Sequence, residues 1–369
     1  MILHIQILRF FAAIAVVFHH APAPIERALA SAELPRLIEW LAALGFAGVD
    51  LFFVISGAVM AKTTRNLSAG GRSPAHFIAA RLARIYCGWW PFFIIYLLSF
   101  KATGSFSSDQ HLVASLFLWP QSLTYQLLPI TWTLSFELYF YLVLGGLLFF
   151  KRYLQILALS SWAAGIAAFT VYNWLTGLYL PERFAEVGLV QDFYFSPLIL
   201  EFVAGFLIFE YLHNRPPINW KAPALVAGML MGVAIWYQLY GSLASSGMAG
   251  FHHLPERVLL IGGATSALVA CALALPPPKS RIWKVLAQCG DTSYAIYLAH
   301  IAVISGVCLI LTRLGYIQIF SPAMLLTVIV LAVILYAWMH YRWIEQPLYR
   351  FARDKLSSFT GADRATKPA

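Results

Sequence analysis

The sequence predicts an all-α integral membrane protein, a bundle of about ten transmembrane helices with both termini cytoplasmic. Three observations predict it. Hydrophobic residues make up 60% of the 369-residue chain and charged residues only 11%, where a soluble domain carries about 25% charged. The mean hydropathy is +0.73, and the apolar residues gather in runs of the roughly 20 residues that a helix needs to cross a hydrocarbon core. Aromatic residues reach 15%, with 12 Trp and 18 Tyr, which suits rings anchored at membrane interfaces.

Taken in order, candidate spans fall near 5–22, 37–61, 76–101, 133–150, 154–175, 195–213, 223–240, 257–275, 292–312 and 322–343. The first run partly mimics a secretory signal. Its basic residues are badly placed for one, since Arg9 lies inside the run, so it reads as a retained membrane helix. Residues 111–119 are apolar but too short to cross, and read as an interfacial or re-entrant piece. No internal repeat or long linker marks a second domain. The expected organisation is one transmembrane domain over 1–345 and a short polar cytoplasmic tail over 346–369. Placing the N-terminus in the cytoplasm puts eighteen of the 25 Lys and Arg inside and six outside, with Arg9 the remaining one. That bias sets the orientation. The two longest loops, 102–132 and 176–194, then face outward.

The formal charge of +9 would suggest nucleic acid in a soluble protein. Here the basic residues lie mostly in short loops, and no basic arm or stacking motif supports nucleic-acid binding. Cys87, Cys271, Cys289 and Cys308 lie in or beside apolar runs without paired spacing, and read as small buried side chains. No metal site is expected: His19-His20 and His252-His253 are adjacent pairs, not ligand spacings.

Ionisable groups inside a bilayer cost about 2.5–3.5 kcal/mol each on insertion scales, so each is a candidate functional residue. The notable ones are Arg9, His19, His20, Asp50, Glu137, Glu201, His300 and His340. Arg9 and His20 are eleven residues apart, about three helical turns, so one face carries a cation and, roughly 16 Å away, an imidazole. The plainer reading has Arg9 snorkelling to the interface and the histidines ending the helix. Asp50 follows Gly48 in a Gly-rich apolar stretch that ends at Ser56-Gly57. Glycines there permit close helix approach, and Asp50 could equally cap a helix or pair with an arginine. Arg81 and Arg84 share a face at i and i+3. Together they suit phosphate, and they serve as well as positive-inside anchors. Ser135 is placed to cap the fourth span, which would put Glu137 in its first turn beside the positive end of the dipole. Tyr297 and His300 share a face at i and i+3, where a lone histidine is more often a packing or hydrogen-bonding residue than a catalyst.

Read together, these segments resemble a known family. Arg9 through His20, then Gly48-Val49-Asp50-Leu51-Phe52-Phe53-Val54-Ile55-Ser56-Gly57, then Arg81-Leu82-Ala83-Arg84-Ile85, then Trp132-Thr133-Leu134-Ser135-Phe136-Glu137, then Ser293-Tyr294-Ala295-Ile296-Tyr297-Leu298-Ala299-His300 are similar to the acyltransferase 3 family of membrane O-acyltransferases. The resemblance covers about residues 4–345 and is most specific in the Gly48–Gly57 stretch. Where members often carry a further basic residue beside the first of the paired arginines, this chain has Ala80. It most resembles the single-domain branch that modifies exopolysaccharides.

The resemblance implies transfer of an acyl group, usually acetyl from acetyl-CoA, to a hydroxyl of a carbohydrate acceptor, free or lipid-linked. It implies a multi-pass protein of the bacterial inner membrane, with acetyl-CoA as donor substrate, no permanently bound cofactor, and membrane lipid as its surroundings. His20 matches the family's first-helix histidine by its spacing from Arg9, with His19 as the second register. On that reading His20 is the general base, and Asp50 or Glu137 orients it. Arg81 and Arg84, with Arg9, meet the donor's phosphates. Ser56 or Tyr297 hydrogen-bonds the oxyanion or the acceptor, with His19 and His300 in support. Direct transfer and a histidine-bound acyl intermediate both remain open. The runner-up class is a secondary transporter or permease for a sugar or organic anion, which intramembrane charges fit but which often shows an inverted repeat. A third is a non-catalytic membrane scaffold.

Overall fold

The computed structural model describes residues 3–30, 35–70, 73–180, 183, 186, 188–215, 218–240, 255–277 and 280–360. Among them there is no strand, and ten helical segments are long and apolar enough to cross a membrane. Arg72, His252, His253, Lys279, Arg364 and Lys367 lie outside the described residues, as do positions 361–369 of the expected tail.

In chain order the helices are α1 (Leu3–His20), α2 (Pro22–Leu29), α3 (Arg36–Leu44), α4 (Ala47–Gly70), α5 (Pro74–Thr103), α6 (Leu112–Leu116), α7 (Trp132–Leu147) and α8 (Arg152–Leu175). Then follow α9 (Ile199–His213), α10 (Lys221–Tyr240), α11 (Pro255–Arg257), α12 (Gly263–Ala274), α13 (Arg281–Cys289), α14 (Ser293–Arg313), α15 (Pro322–His340) and α16 (Gln346–Thr360). Two compact units emerge, one of residues 1–52 and 275–344, the other of 53–274 and 345–369.

In the first unit α1 packs on α3, α13 and α14, and α14 packs on α15. Leu325, Ile329, Val333 and Ala337 recur every fourth residue and are fully buried, the inward stripe of α15. Its outward face is equally apolar: Leu331 and Leu335 are 61% and 59% exposed. A helix that is hydrophobic all round belongs in lipid. One predicted span is built from two helices, and the first continues past its predicted end into a second helix. The run at 37–61 breaks at Gly45-Phe46 between α3 and α4, and the first span bends at Ala21, where Pro22 opens α2 at the position proline favours.

The second unit turns on glycine. A Cβ on Gly57 of α4 would lie 1.9 Å from the Phe202 carbonyl oxygen, and one on Gly205 of α9 would lie 1.9 Å from that of Val54. The two backbones cross in contact, as small residues allow in membrane helices. Gly57→Ala should therefore destabilise the protein by about 3 kcal/mol, since one of two packed backbones must move. Gly146→Ala, where a Cβ meets nothing within 4 Å, should be neutral. Equal thermal midpoints for the two variants in detergent would remove the close crossing from the account.

The short run at 111–119 does not span and forms one short helix. Its helix, α6, docks halfway along α5: Tyr86 Oη donates to the Phe117 carbonyl at 2.9 Å, Trp89 Nε1 to Ser115 at 3.0 Å and Trp90 Nε1 to Leu116 at 3.2 Å. The last carbonyls of a helix have no partner of their own, and three ring donors from one helix supply them. Ser115 Oγ then accepts from Leu127 N and Gln121 Nε2. Irregular backbone survives at membrane depth only when its polar groups are met in this way.

One expectation is corrected. Ser135 does not cap α7. Pro129–Thr131 form a 3₁₀ turn that starts the helix earlier, at Trp132, and Ser135 is buried at the end of its first turn. Glu137 therefore lies beyond the first turn, and side chains rather than the dipole stabilise it. The polar tail is helical over Gln346–Thr360 and packs as α16 against α5. Cys87, Cys271, Cys289 and Cys308 are free.

Candidate active site

Most candidate residues fall into polar clusters, at the two ends of α1 in the first unit and around Glu137 in the second. In the first, α1 carries Arg9 near one end and His20 at the other. Arg9 Nη1 donates to Gln6 Oε1 at 3.4 Å, and Gln6 Nε2 donates to Asp291 Oδ1. Gln6 is 3% exposed, so the cation is linked through a buried amide to an acid at the end of α13. Sequence reasoning passed over both Gln6 and Asp291; a buried-face glutamine one turn before Arg9 was the available signal.

At the other end the adjacent histidines have separate partners. His19 Nδ1 lies 2.8 Å from the Ala42 carbonyl oxygen. It shares that carbonyl, near the end of α3, with Gly45 N, which donates to it at 3.2 Å. His20 Nδ1 lies 3.0 Å from Val16 O and 3.3 Å from His300 Nε2. The His20 and His300 rings are 4.9 Å apart, centroid to centroid. His300 is fully buried, with Nδ1 2.6 Å from the Tyr297 carbonyl oxygen. Tyr297 thus contributes its backbone to this cluster, and its ring packs on Phe52 and His300. Asp50 is fully buried in the first turn of α4, where the helix N-terminus favours a carboxylate. The His20 ring therefore lies between two imidazoles, with the His19 ring also 4.9 Å away, and only His300 offers it a ring nitrogen within hydrogen-bond reach among the described residues.

In the second unit Glu137 of α7 accepts from Ser56 Oγ of α4 at 3.3 Å and from Tyr141 Oη one turn on. Arg81 stacks its guanidinium 5.7 Å from the Phe77 ring centre and 6.0 Å from that of Tyr141, within cation–π range. Its Nε has no hydrogen-bond partner among the described residues. Arg84 interacts electrostatically with Glu345, Tyr141, Glu137 and Tyr349. Ser56, Arg81, Arg84 and Glu137 are therefore brought together, with Tyr141 and Glu345 as members that the sequence reading did not single out. Tyr141 stands i+4 from Glu137, a spacing that could have found it. Glu345 comes from the far end of the chain, and no local signal marks it.

A second ionic cluster in this unit also went unread. Glu210 of α9 accepts from Arg65 at 2.7–3.0 Å and from Arg152 at 2.5 Å. Arg152 further donates to Thr64, Gln155 and the Ala61 carbonyl, and covers the Phe206 ring.

A family model described as an acyltransferase domain matches residues 2–342, nearly the whole chain. The chain belongs to the acyltransferase 3 family. The polar clusters of this acyltransferase draw almost all their members from the matched region; Glu345 and Tyr349 lie just past it. The chain is 31% identical over 347 residues to the exopolysaccharide production protein ExoZ of Rhizobium meliloti (strain 1021), an alignment covering 88% of this acyltransferase and 96% of ExoZ. It is 26% identical over 391 residues to the acyltransferase MdmB of Streptomyces mycarofaciens, covering 98% and 95% of the two chains. No solved structure matches it.

Proposed function

We propose that this protein is a bacterial inner-membrane O-acyltransferase. It moves an acyl group, acetyl in the first instance, from cytoplasmic acyl-CoA to a hydroxyl of a cell-surface or exported polysaccharide. The observation that carries the reading is the His20 imidazole, fixed by Val16 O and His300, in a chain matched almost end to end by an acyltransferase family. The name of ExoZ, which is similar along nearly its whole length, supports a carbohydrate acceptor.

His20 is the general base. Imidazole has an unperturbed pKa near 6.5 and can take a hydroxyl proton at neutral pH. The acceptor oxygen then bonds to the thioester carbonyl carbon, the carbon–sulfur bond breaks, and the proton held by His20 passes to the CoA thiolate. Arg81 and Arg84 bind the donor's phosphates, with Arg9 as a further cation. Ser56, Glu137 and Tyr141 form a hydrogen-bonded group that positions the acceptor or the developing oxyanion. Asp50 holds the start of α4.

The test is acyl transfer by the purified protein in nanodiscs, with radiolabelled acetyl-CoA and an extract of the host's surface glycans. Label in glycan with wild type and none with His20→Ala supports enzyme class and base together. Label with both variants removes His20 from the chemistry. No label with either, together with sugar flux in proteoliposomes lacking any acyl donor, points to a transporter. The donor site has its own test. Arg81→Gln should raise the KM for acetyl-CoA about tenfold, the loss of one charge-assisted hydrogen bond, with little change in thermal midpoint. Arg84→Gln should lower the midpoint as well, because Glu345 loses its cation. An unchanged KM in Arg81→Gln removes that residue from the donor site.

A further inference from the structure

We propose that His300 is a positioning residue that decides which nitrogen of His20 is free to take a proton. The inference rests on the reading of His20 as base and adds the tautomer and the residue that sets it.

Carbonyl oxygens only accept hydrogen bonds. His300 Nδ1 lies 2.6 Å from the Tyr297 carbonyl oxygen, so that nitrogen carries the hydrogen. In a neutral ring the other nitrogen is then an acceptor. That atom, His300 Nε2, faces His20 Nδ1 at 3.3 Å, and the same His20 Nδ1 faces the Val16 carbonyl oxygen at 3.0 Å. Two acceptors thus converge on His20 Nδ1, and it must carry the hydrogen. The lone pair of the neutral ring is left on His20 Nε2, the atom a general base needs. One chain of polarity runs from the Tyr297 carbonyl through both rings to that lone pair.

The arrangement differs in kind from a triad whose orienting group is a carboxylate. A neutral imidazole adds no charge to a place where His300 is fully buried and an unpaired ion is costly. When His20 takes the hydroxyl proton on Nε2, its Nδ1–H stays bound to His300 Nε2 and Val16 O, and the new positive charge is spread toward two acceptors. Removing His300 leaves only the helix carbonyl, which is shared with the backbone ladder of α1.

The tautomer is read without any activity, from ring-nitrogen NMR of ¹⁵N-histidine-labelled protein in nanodiscs above neutral pH, with the His20 signals assigned by their loss in His20→Gln. The expected result is a protonated Nδ1 and a bare Nε2 on His20 and on His300. A His20 ring protonated on Nε2 overturns the proposal whatever the activity of the protein. In the acyl-transfer assay His300→Leu should lower kcat about 100-fold, with the KM for acetyl-CoA held within about twofold, as expected for a group felt only after proton transfer. His300→Gln keeps an oxygen that can accept from His20 Nδ1 and should recover most of the loss. Wild-type kcat in a folded His300→Leu protein overturns the proposal. The expected tautomers in a wild-type protein that transfers no acyl group would leave the histidine arrangement standing and remove the acyltransferase reading.

Discussion

Replacing His20 by glutamine is expected to lower kcat for acyl transfer about 1,000-fold, within the range that general-base catalysis contributes. Glutamine keeps hydrogen-bonding capacity at that position but has no group that takes a proton near pH 7. The thermal midpoint should hardly move, because among the described residues the His20 ring hydrogen-bonds only to Val16 and His300. His19→Gln should show the opposite balance. Its ring nitrogen serves the end of α3 through the Ala42 carbonyl, so the midpoint should fall while kcat falls less than tenfold. Initial rates and melting curves on the same nanodisc preparations check both. A His19 variant that loses more rate than the His20 variant would put the base in the other register and dissolve the chemistry assigned to His20.

The separate fates of these neighbours mark how far the sequence could be read. The spacing from Arg9 chose His20 over His19, and the structure sets His20 against another imidazole. What spacing could not supply was the partner, since His300 lies 280 positions away and only folding brings α14 to α1. The bundle itself was legible because hydrocarbon imposes length and apolarity on every span. Interruptions were less so. Gly45-Phe46 splits one apolar run into α3 and α4 without any polar residue to announce it. The short α6 was visible as a run too short to cross, but the three ring donors that hold it at the middle of α5 are a tertiary fact. Ser135 was misread as a cap because Ser–x–Glu resembles a helix start, whereas Pro129 had already begun the turn.

Charge was the hardest to read. A positive-inside count treats Arg65 and Arg152 as two anchors facing water, while the fold gives both to Glu210. The carboxylate is 5% exposed, and the guanidinium groups are 27% and 22% exposed. A buried ion pair is poor evidence of net stability, but breaking one by removing a single partner is costly, because the charges left behind stay desolvated. Glu210→Leu strands two arginines, one of which also serves Thr64, Gln155 and the Ala61 carbonyl. It is expected to cost about 3 kcal/mol, at the low end for such a break because the arginines keep some solvent. The triple variant Arg65→Met, Arg152→Met, Glu210→Leu removes the stranded charges and should recover much of that loss. Midpoints measured by tryptophan fluorescence in one detergent decide it. If the triple variant melts as low as Glu210→Leu, then the cluster acts through shape and hydrogen bonds to the α4 backbone rather than through paired charge. If Glu210→Leu melts like wild type, the two arginines find water or lipid phosphate in its place, which is what two anchors on the basic side of the membrane would do.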